Sequence, residues 1–303
     1  MKRPLATGST TQAGCSVSAW VSMKGNKVSD SYISIDGVRV RYRDSGAAGP
    51  VVLLVHGIGG SLELWSGQFT SANQGMRLIA VDLPGHGLSG FGERPFAAKT
   101  FAAFLWKFAD ALGLNQVHLA GNSLGGAIGL QMQAQQPARV QSMLLAAAAN
   151  LGRECPLPFR LMTLPLLGEL MSRAGPMAIT QQIQAIFGPS FVVTDGLRKT
   201  IERNVMRPGA QAAFLATVRL LSDLSGQRAS LVADAHAALA SVSVPVLMLH
   251  GRQDSVIPFA HSEHAHTLVP TSQLQLVDDC GHTPQLEQAD IFNTALRTLV
   301  AQA

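Results

Sequence analysis

Gly121-Asn122-Ser123-Leu124-Gly125 sets a serine midway between two glycines. This G-x-S-x-G spacing suits a sharp strand-to-helix turn that holds the serine in a strained conformation with its hydroxyl exposed. The glycines let neighbouring backbone and helix approach without a Cβ in the way. A serine hydroxyl is a poor nucleophile until a base takes its proton. A histidine can do this near neutral pH and later protonate a leaving group. A carboxylate can hold the imidazole in the useful tautomer and stabilise its cation. Such a set carries out acyl transfer through a tetrahedral intermediate, whose oxyanion needs fixed donors. The candidate bases by residue type are His56, His86 and His282, and the candidate acids are Asp254, Asp278 and Asp279.

This chemistry needs a strand before Ser123 and a helix after it. Val117–Ala120 is a short apolar run that reads as a buried strand, and Ser123–Gln136 has helical character before Pro137. Val51–Val55, Arg77–Val81, Val140–Ala148, Val244–His250 and Leu274–Val277 read as further buried strands. Phe96–Leu112 has helical spacing, and Tyr32–Ile35 and Val38–Tyr42 alternate around Asp36-Gly37 as a hairpin at a sheet edge. Strands alternating with helices predict an α/β fold, a mostly parallel sheet covered by helices on both faces.

Residues 150–241 break that rhythm with helical patterns punctuated by Pro and Gly, including an amphipathic stretch over Ala210–Leu224. They read as a helical lid inserted between two core segments, 31–149 and 242–303. Residues 1–30 read as a flexible extension without the apolar run of a signal peptide. The chain has 303 residues, 47% apolar and 14% charged, enough for one large core. A formal net charge of +4 with no basic stripe argues against a nucleic-acid partner. Three scattered cysteines give no disulfide framework, and no run of 18 apolar residues predicts a membrane span, so a cytoplasmic location is expected.

Five motifs in order resemble the α/β-hydrolase superfamily over about residues 31–303. His56-Gly57-Ile58-Gly59-Gly60 follows a strand where that superfamily carries its oxyanion loop. Asp82-Leu83-Pro84-Gly85-His86-Gly87-Leu88-Ser89 matches a second signature. The remaining three are the Ser123 motif, Gly251-Arg252-Gln253-Asp254 and Asp279-Cys280-Gly281-His282. The resemblance implies an α/β-hydrolase fold with Ser123 as nucleophile, Asp254 as acid and His282 as base, in the chain order Ser…Asp…His. It implies backbone N–H donors from Ile58 and Leu124 for the oxyanion. It also suggests Gly57, Gly59, Asn122 and Trp65 as substrate-binding positions. His56 and His86 read as loop-shaping residues.

No cofactor or metal is implied. His261 and His264 share a helix face, but His266 points about 200° from His264, so three ligands would not converge. Serine at position 123, where haloalkane dehalogenases and epoxide hydrolases use Asp, argues against both activities. The favoured reading is a serine hydrolase of carboxylic esters or thioesters, with an apolar ester or ketone as its small-molecule substrate. An alternative is hydrolysis of carbon–carbon bonds in vinylogous diketones from aromatic ring cleavage. That group resembles this chain at Gly-Asn-Ser-Leu-Gly-Gly, but it carries Trp where this chain has Thr283, and it needs a lid arginine for a substrate carboxylate. A third reading is a ligand-binding member of the fold without catalysis.

Overall fold

The computed structural model describes residues 28–92 and 97–303. Residues 1–27 of the expected extension, and Phe96 at the start of an expected helix, lie outside the described residues. Asp30 already belongs to the first strand, one residue before the expected core boundary.

In chain order the strands are β1 (Asp30–Ile35), β2 (Val38–Asp44), β3 (Val51–Val55), β4 (Arg77–Val81), β5 (Val117–Asn122), β6 (Val140–Ala146), β7 (Ser222–Asp223), β8 (Gly226–Gln227), β9 (Val246–Gly251) and β10 (Gln273–Val277). The helices are α1 (Ala98–Ala111), α2 (Leu124–Gln135), α3 (Leu157–Leu161), α4 (Leu167–Met171), α5 (Pro176–Ile186), α6 (Asp195–Met206), α7 (Ala210–Leu221), α8 (Ala229–Ala240), α9 (Ala260–Leu268), α10 (Pro284–Glu287) and α11 (Ala289–Val300).

Eight strands form one sheet in the order β1-β2-β4-β3-β5-β6-β9-β10. β1 and β2 form the antiparallel edge hairpin, and β3 to β6, β9 and β10 run parallel. The hairpin turns at Asp36 (φ 49°) and Gly37 (φ 77°), the left-handed pair a two-residue hairpin loop requires. The parallel strands are apolar because both faces are covered. Leu53 and Val55 pack with α1 and α2, while Val52 and Leu54 pack on the other face with Trp65, Phe292 and Leu296. From β3 the chain crosses to β4 on one side and then returns to β5 on the other. The C-terminal ends of β3 and β5 therefore flank a topological switch point, where open α/β sheets leave a crevice.

Helices α3 to α7 and the small β7–β8 hairpin fill the chain between β6 and α8. The inserted block ends earlier than expected. α8 packs on α2 and α9, and its Ala235, Ala238 and Leu239 join the main core. It thus belongs to the layer covering the sheet. The β7–β8 hairpin inside the block was also not anticipated, since two-residue strands leave no alternation to read.

Candidate active site

Ser123 stands between β5 and α2 with φ 56° and ψ −118°, a costly conformation for a residue with a Cβ. The surrounding backbone holds it there. Ser123 N–H donates to the Ala146 carbonyl at 2.9 Å, and the Ser123 carbonyl accepts from Gly126, Ala127 and Ala149 N–H at 3.0, 3.3 and 3.0 Å. Glycine is obligatory on both sides. A Cβ on Gly121 would collide with the Gly125 carbonyl, and one on Gly125 with the Val55 carbonyl of β3. This second contact seats the start of α2 against the strand that leads to Gly57-Ile58-Gly59. Leu124 opens α2, where first-turn N–H groups lack intrahelical acceptors and the helix dipole favours negative charge. The facing turn is closed by Gly60 N–H donating to the Gly57 carbonyl at 3.1 Å.

Asp254 follows β9 and His282 follows β10, so pairing of these neighbouring strands brings the two together. His282 Nδ1 lies 2.7 Å from Asp254 Oδ2. Asp254 Oδ1 accepts from Val256 and Ile257 N–H at 2.7 and 2.9 Å. His250 Nε2 adds a further contact to Oδ2 at 2.9 Å. Burial alone would raise the Asp254 carboxyl, but the His282 charge and the hydrogen bonds from His250 and His282 outweigh it, leaving the group well below the usual carboxylate range. The other candidate acids stand elsewhere. Asp278 is exposed and pairs with Arg252 at 3.1 Å, and Asp279 occupies a turn with φ 48°.

One of the expected substrate contacts is corrected. Trp65 is fully buried on the opposite face of the sheet, its ring 5.8 Å from Phe292, so it is core and not pocket wall. Asn122 spends its amide N–H groups on the Ala146 carbonyl at 3.2 Å and the His282 carbonyl at 2.9 Å, acting as a strut between the two loops. Gly57 lies against Ser123, and Gly59 against the inserted block. A Cβ on Gly57 would stand 3.0 Å from Ser123 Cβ, and one on Gly59 would meet Gln182 and Phe214 of the inserted block. His56 shapes its loop: Nε2 accepts from Leu83 N–H at 3.1 Å and Nδ1 donates to the Gly57 carbonyl at 2.7 Å. His86 Nδ1 similarly lies 3.0 Å from the Pro84 carbonyl.

The inserted block is fastened over these loops by contacts that sequence reasoning missed. Glu63, nearly buried, accepts from Arg41 through both oxygens at 2.9 Å, from Ser61 at 2.6 Å and from Arg203 of α6 at 2.9 Å. Arg207 donates to the His86 and Gly87 carbonyls at 3.3 and 2.7 Å. On the other side, the Ile186 carbonyl accepts from His282 N–H at 3.0 Å. Glu287 accepts from Gly188, Gly281 and Thr283 N–H at 2.7, 2.9 and 2.9 Å, and from the Thr283 hydroxyl at 3.0 Å. Glu287 stands four residues after Thr283, one beyond the capping-box spacing, so no standard sequence signal pointed to it. Leu64, Ile179, Phe187, Leu197 and Ile201 make the seam between block and core apolar. Ser123 and His282 are accordingly only 5% and 4% exposed. No helix among the described residues is long and apolar enough to cross a membrane.

A strained serine heading a helix and an imidazole bound to a buried carboxylate are parts that acyl transfer can use. Residues 50–289 match the family model described as the alpha/beta hydrolase fold. An uncharacterized protein of Mycobacterium tuberculosis is 30% identical over 261 residues, covering 83% of this chain and 75% of the relative. A 2-hydroxy-6-oxo-2,4-heptadienoate hydrolase of Pseudomonas putida is also 30% identical over 261 residues, covering 83% of this chain and 89% of that one. Among solved structures, a carboxylesterase from Bacillus subtilis superposes with a TM-score of 0.76 at 24% identity, over 92% of this chain and 93% of the other. The chain belongs to the α/β-hydrolase family.

Proposed function

We propose that the protein hydrolyses carboxylic esters through an acyl-enzyme at Ser123. The observation that carries this reading is the 2.7 Å contact between His282 Nδ1 and Asp254 Oδ2, on the loop that Asn122 ties to the Ser123 turn. Ser123 Oγ attacks the carbonyl carbon while His282 Nε2 takes its proton. The carbonyl oxygen becomes an oxyanion and is met by the backbone N–H groups of Leu124 and Ile58. Collapse breaks the carbon–oxygen bond, and His282 returns the proton to the departing alkoxide. Water then repeats the cycle on the acyl-enzyme, with His282 again as base, and releases the acid. Asp254 stabilises the imidazolium formed in each half. Helices α3 to α7 act as a lid, and their apolar seam with the core favours an apolar substrate.

A second reading, carbon–carbon bond hydrolysis, draws on the Pseudomonas putida relative. Against it, two of the lid arginines that could take a substrate carboxylate are already committed, Arg203 to Glu63 and Arg207 to loop carbonyls. Turnover of p-nitrophenyl esters from acetate to palmitate, beside a vinylogous 1,5-diketone, separates the two. Ester turnover that peaks at one chain length and disappears in Ser123→Ala is expected. Rapid diketone cleavage with feeble ester turnover would install the second reading. Failure to react with a fluorophosphonate would instead indicate a binding protein without an activated serine.

A further inference from the structure

His250 is the penultimate residue of β9 and is fully buried, yet the mechanism proposed above makes no use of it. Its ring has three partners. Nε2 lies 2.9 Å from Asp254 Oδ2 and 3.0 Å from the Ile257 carbonyl, and Nδ1 lies 2.8 Å from Ser262 Oγ. A carbonyl only accepts, and so does an ionised carboxylate. Nε2 must therefore carry a proton. The Ser262 hydroxyl can donate to Nδ1, which fixes the neutral ring in that tautomer. His282 Nδ1 reaches the same carboxylate oxygen at 2.7 Å. Oδ2 of the acid is thus shared between two imidazole N–H groups, while Oδ1 is filled by two backbone N–H groups.

We infer that His250 is a positioning residue for the catalytic pair, holding Asp254 Oδ2 toward His282 while drawing off part of the charge that would otherwise stabilise the His282 cation. The inference rests on the Ser123–His282–Asp254 reading. Its physical basis is competition: a second N–H on one carboxylate oxygen weakens that oxygen as an acceptor for the first. A His282 with sole possession of Asp254 would stay protonated to higher pH and be idle as a base over a wider range. His250 would thereby hold the acid edge of activity at lower pH. Besides Asp254 and His282, the titratable groups nearby are His261 of α9, which interacts with both His250 and Asp254 and is paired with Glu154 at 3.4 Å, and the buried Cys280 thiol, pushed up by burial and by the Glu287 and Asp254 carboxylates.

The test is the acid limb of kcat/KM for a short-chain p-nitrophenyl ester, read between about pH 5 and 8. In His250→Ala the limb is expected to move to higher pH by roughly half to one unit. In His250→Gln, whose amide N–H can replace Nε2–H, it should return toward the parent position. A role confined to packing would lower stability or kcat without moving the limb, and an unmoved limb in a folded His250→Ala overturns the inference. So does a shift that Gln retains in full. If His250→Ala fails to fold, nitrogen-15 NMR of the histidine rings in the unaltered protein decides: His250 protonated at Nε2 is expected, and a ring protonated only at Nδ1 refutes the contact. Absence of any Ser123-dependent turnover in the parent enzyme would remove the catalytic reading itself, while the NMR measurement would still report on His250 alone.

Discussion

Asn122 Nδ2 donates to the backbone carbonyl of His282 at 2.9 Å, across 160 residues of sequence. The residue before the proposed nucleophile thus holds the loop of the proposed base. Both residues are buried, so removing the amide leaves the His282 carbonyl without this donor at a cost of about 1–3 kcal/mol. Asn122→Ala should lower the thermal midpoint and reduce kcat about tenfold, with KM little changed, because only the alignment of His282 is disturbed. Unaltered kcat in a folded variant would mean that the Ile186 and Glu287 contacts suffice to place the loop.

The backbone at Ser123 separates chemistry from strain. At φ 56° any residue with a Cβ is strained, by about 1–3 kcal/mol, and glycine is not. Ser123→Ala and Ser123→Gly should both abolish hydrolysis. Ala retains the strain and should unfold close to the parent temperature, whereas Gly should unfold above Ala despite its greater freedom in the unfolded chain. Thermal melts of the pair measure this directly, and an Ala variant more stable than Gly would contradict the strain assigned to the turn.

These features differ in how far apart in sequence their parts lie, which governs how much could be read in advance. The Ser123 turn is local: β5, two glycines and α2 are contiguous, so strand, bend and helix were legible together. The β1–β2 hairpin was legible for the same reason, with Asp36-Gly37 supplying the left-handed pair. Asp254 and His282 were placed by family resemblance and by the strands they follow. Trp65 shows the limit. An aromatic after the oxyanion loop could face the pocket or the core, and only packing against Phe292, more than 200 residues away, decides it. α8 likewise reads as one more helix of the insertion until its Ala235 and Leu239 meet the sheet layer. His250 looked like the end of a buried strand, because its significance depends on a carboxylate that returns from the following loop.

Stability should fall as the solution is acidified, starting well above the carboxylate range. His56 and His86 are buried, and burial pushes both imidazoles down to about 4. Their rings are 5.5 Å apart, so protonating one opposes protonation of the other. Since their folded values lie below the unfolded value near 6.5, their contribution is complete above about pH 6.5 and is lost as pH falls toward 4. Glu63 and Asp254, also held below their ordinary values, extend the loss below about pH 4: burial raises both, but Arg203 and Arg41 outweigh it at Glu63, and His282 and His250 at Asp254. Urea unfolding at intervals from pH 7.5 to 4.5 should show a decline of a few kcal/mol, on the order of 1.4 kcal/mol per unit shift for each group. His86→Gln should flatten part of that slope. A stability constant across the interval would contradict the burial assigned to these two rings.

Glu287 offers the sharpest discrimination between isosteres. Its two oxygens receive four donors: Gly188 and Gly281 N–H on one, Thr283 N–H and hydroxyl on the other. Gln keeps the shape but replaces one acceptor oxygen with an NH2 that confronts donors. With the NH2 turned to Gly188 and Gly281 two bonds are lost; turned to Thr283, the hydroxyl can reverse and accept from it, but Thr283 N–H loses its acceptor and faces another N–H. Glu287→Gln should therefore destabilise by about 2–3 kcal/mol, more than its size suggests. The activity loss should fall on kcat, because Gly281 and Thr283 flank His282 and Gly188 links that loop to the inserted block. Limited proteolysis adds an independent readout: cleavage near residue 188 should accelerate in the variant if Glu287 joins the inserted block to the core, and an unchanged digestion pattern would confine its role to the His282 loop.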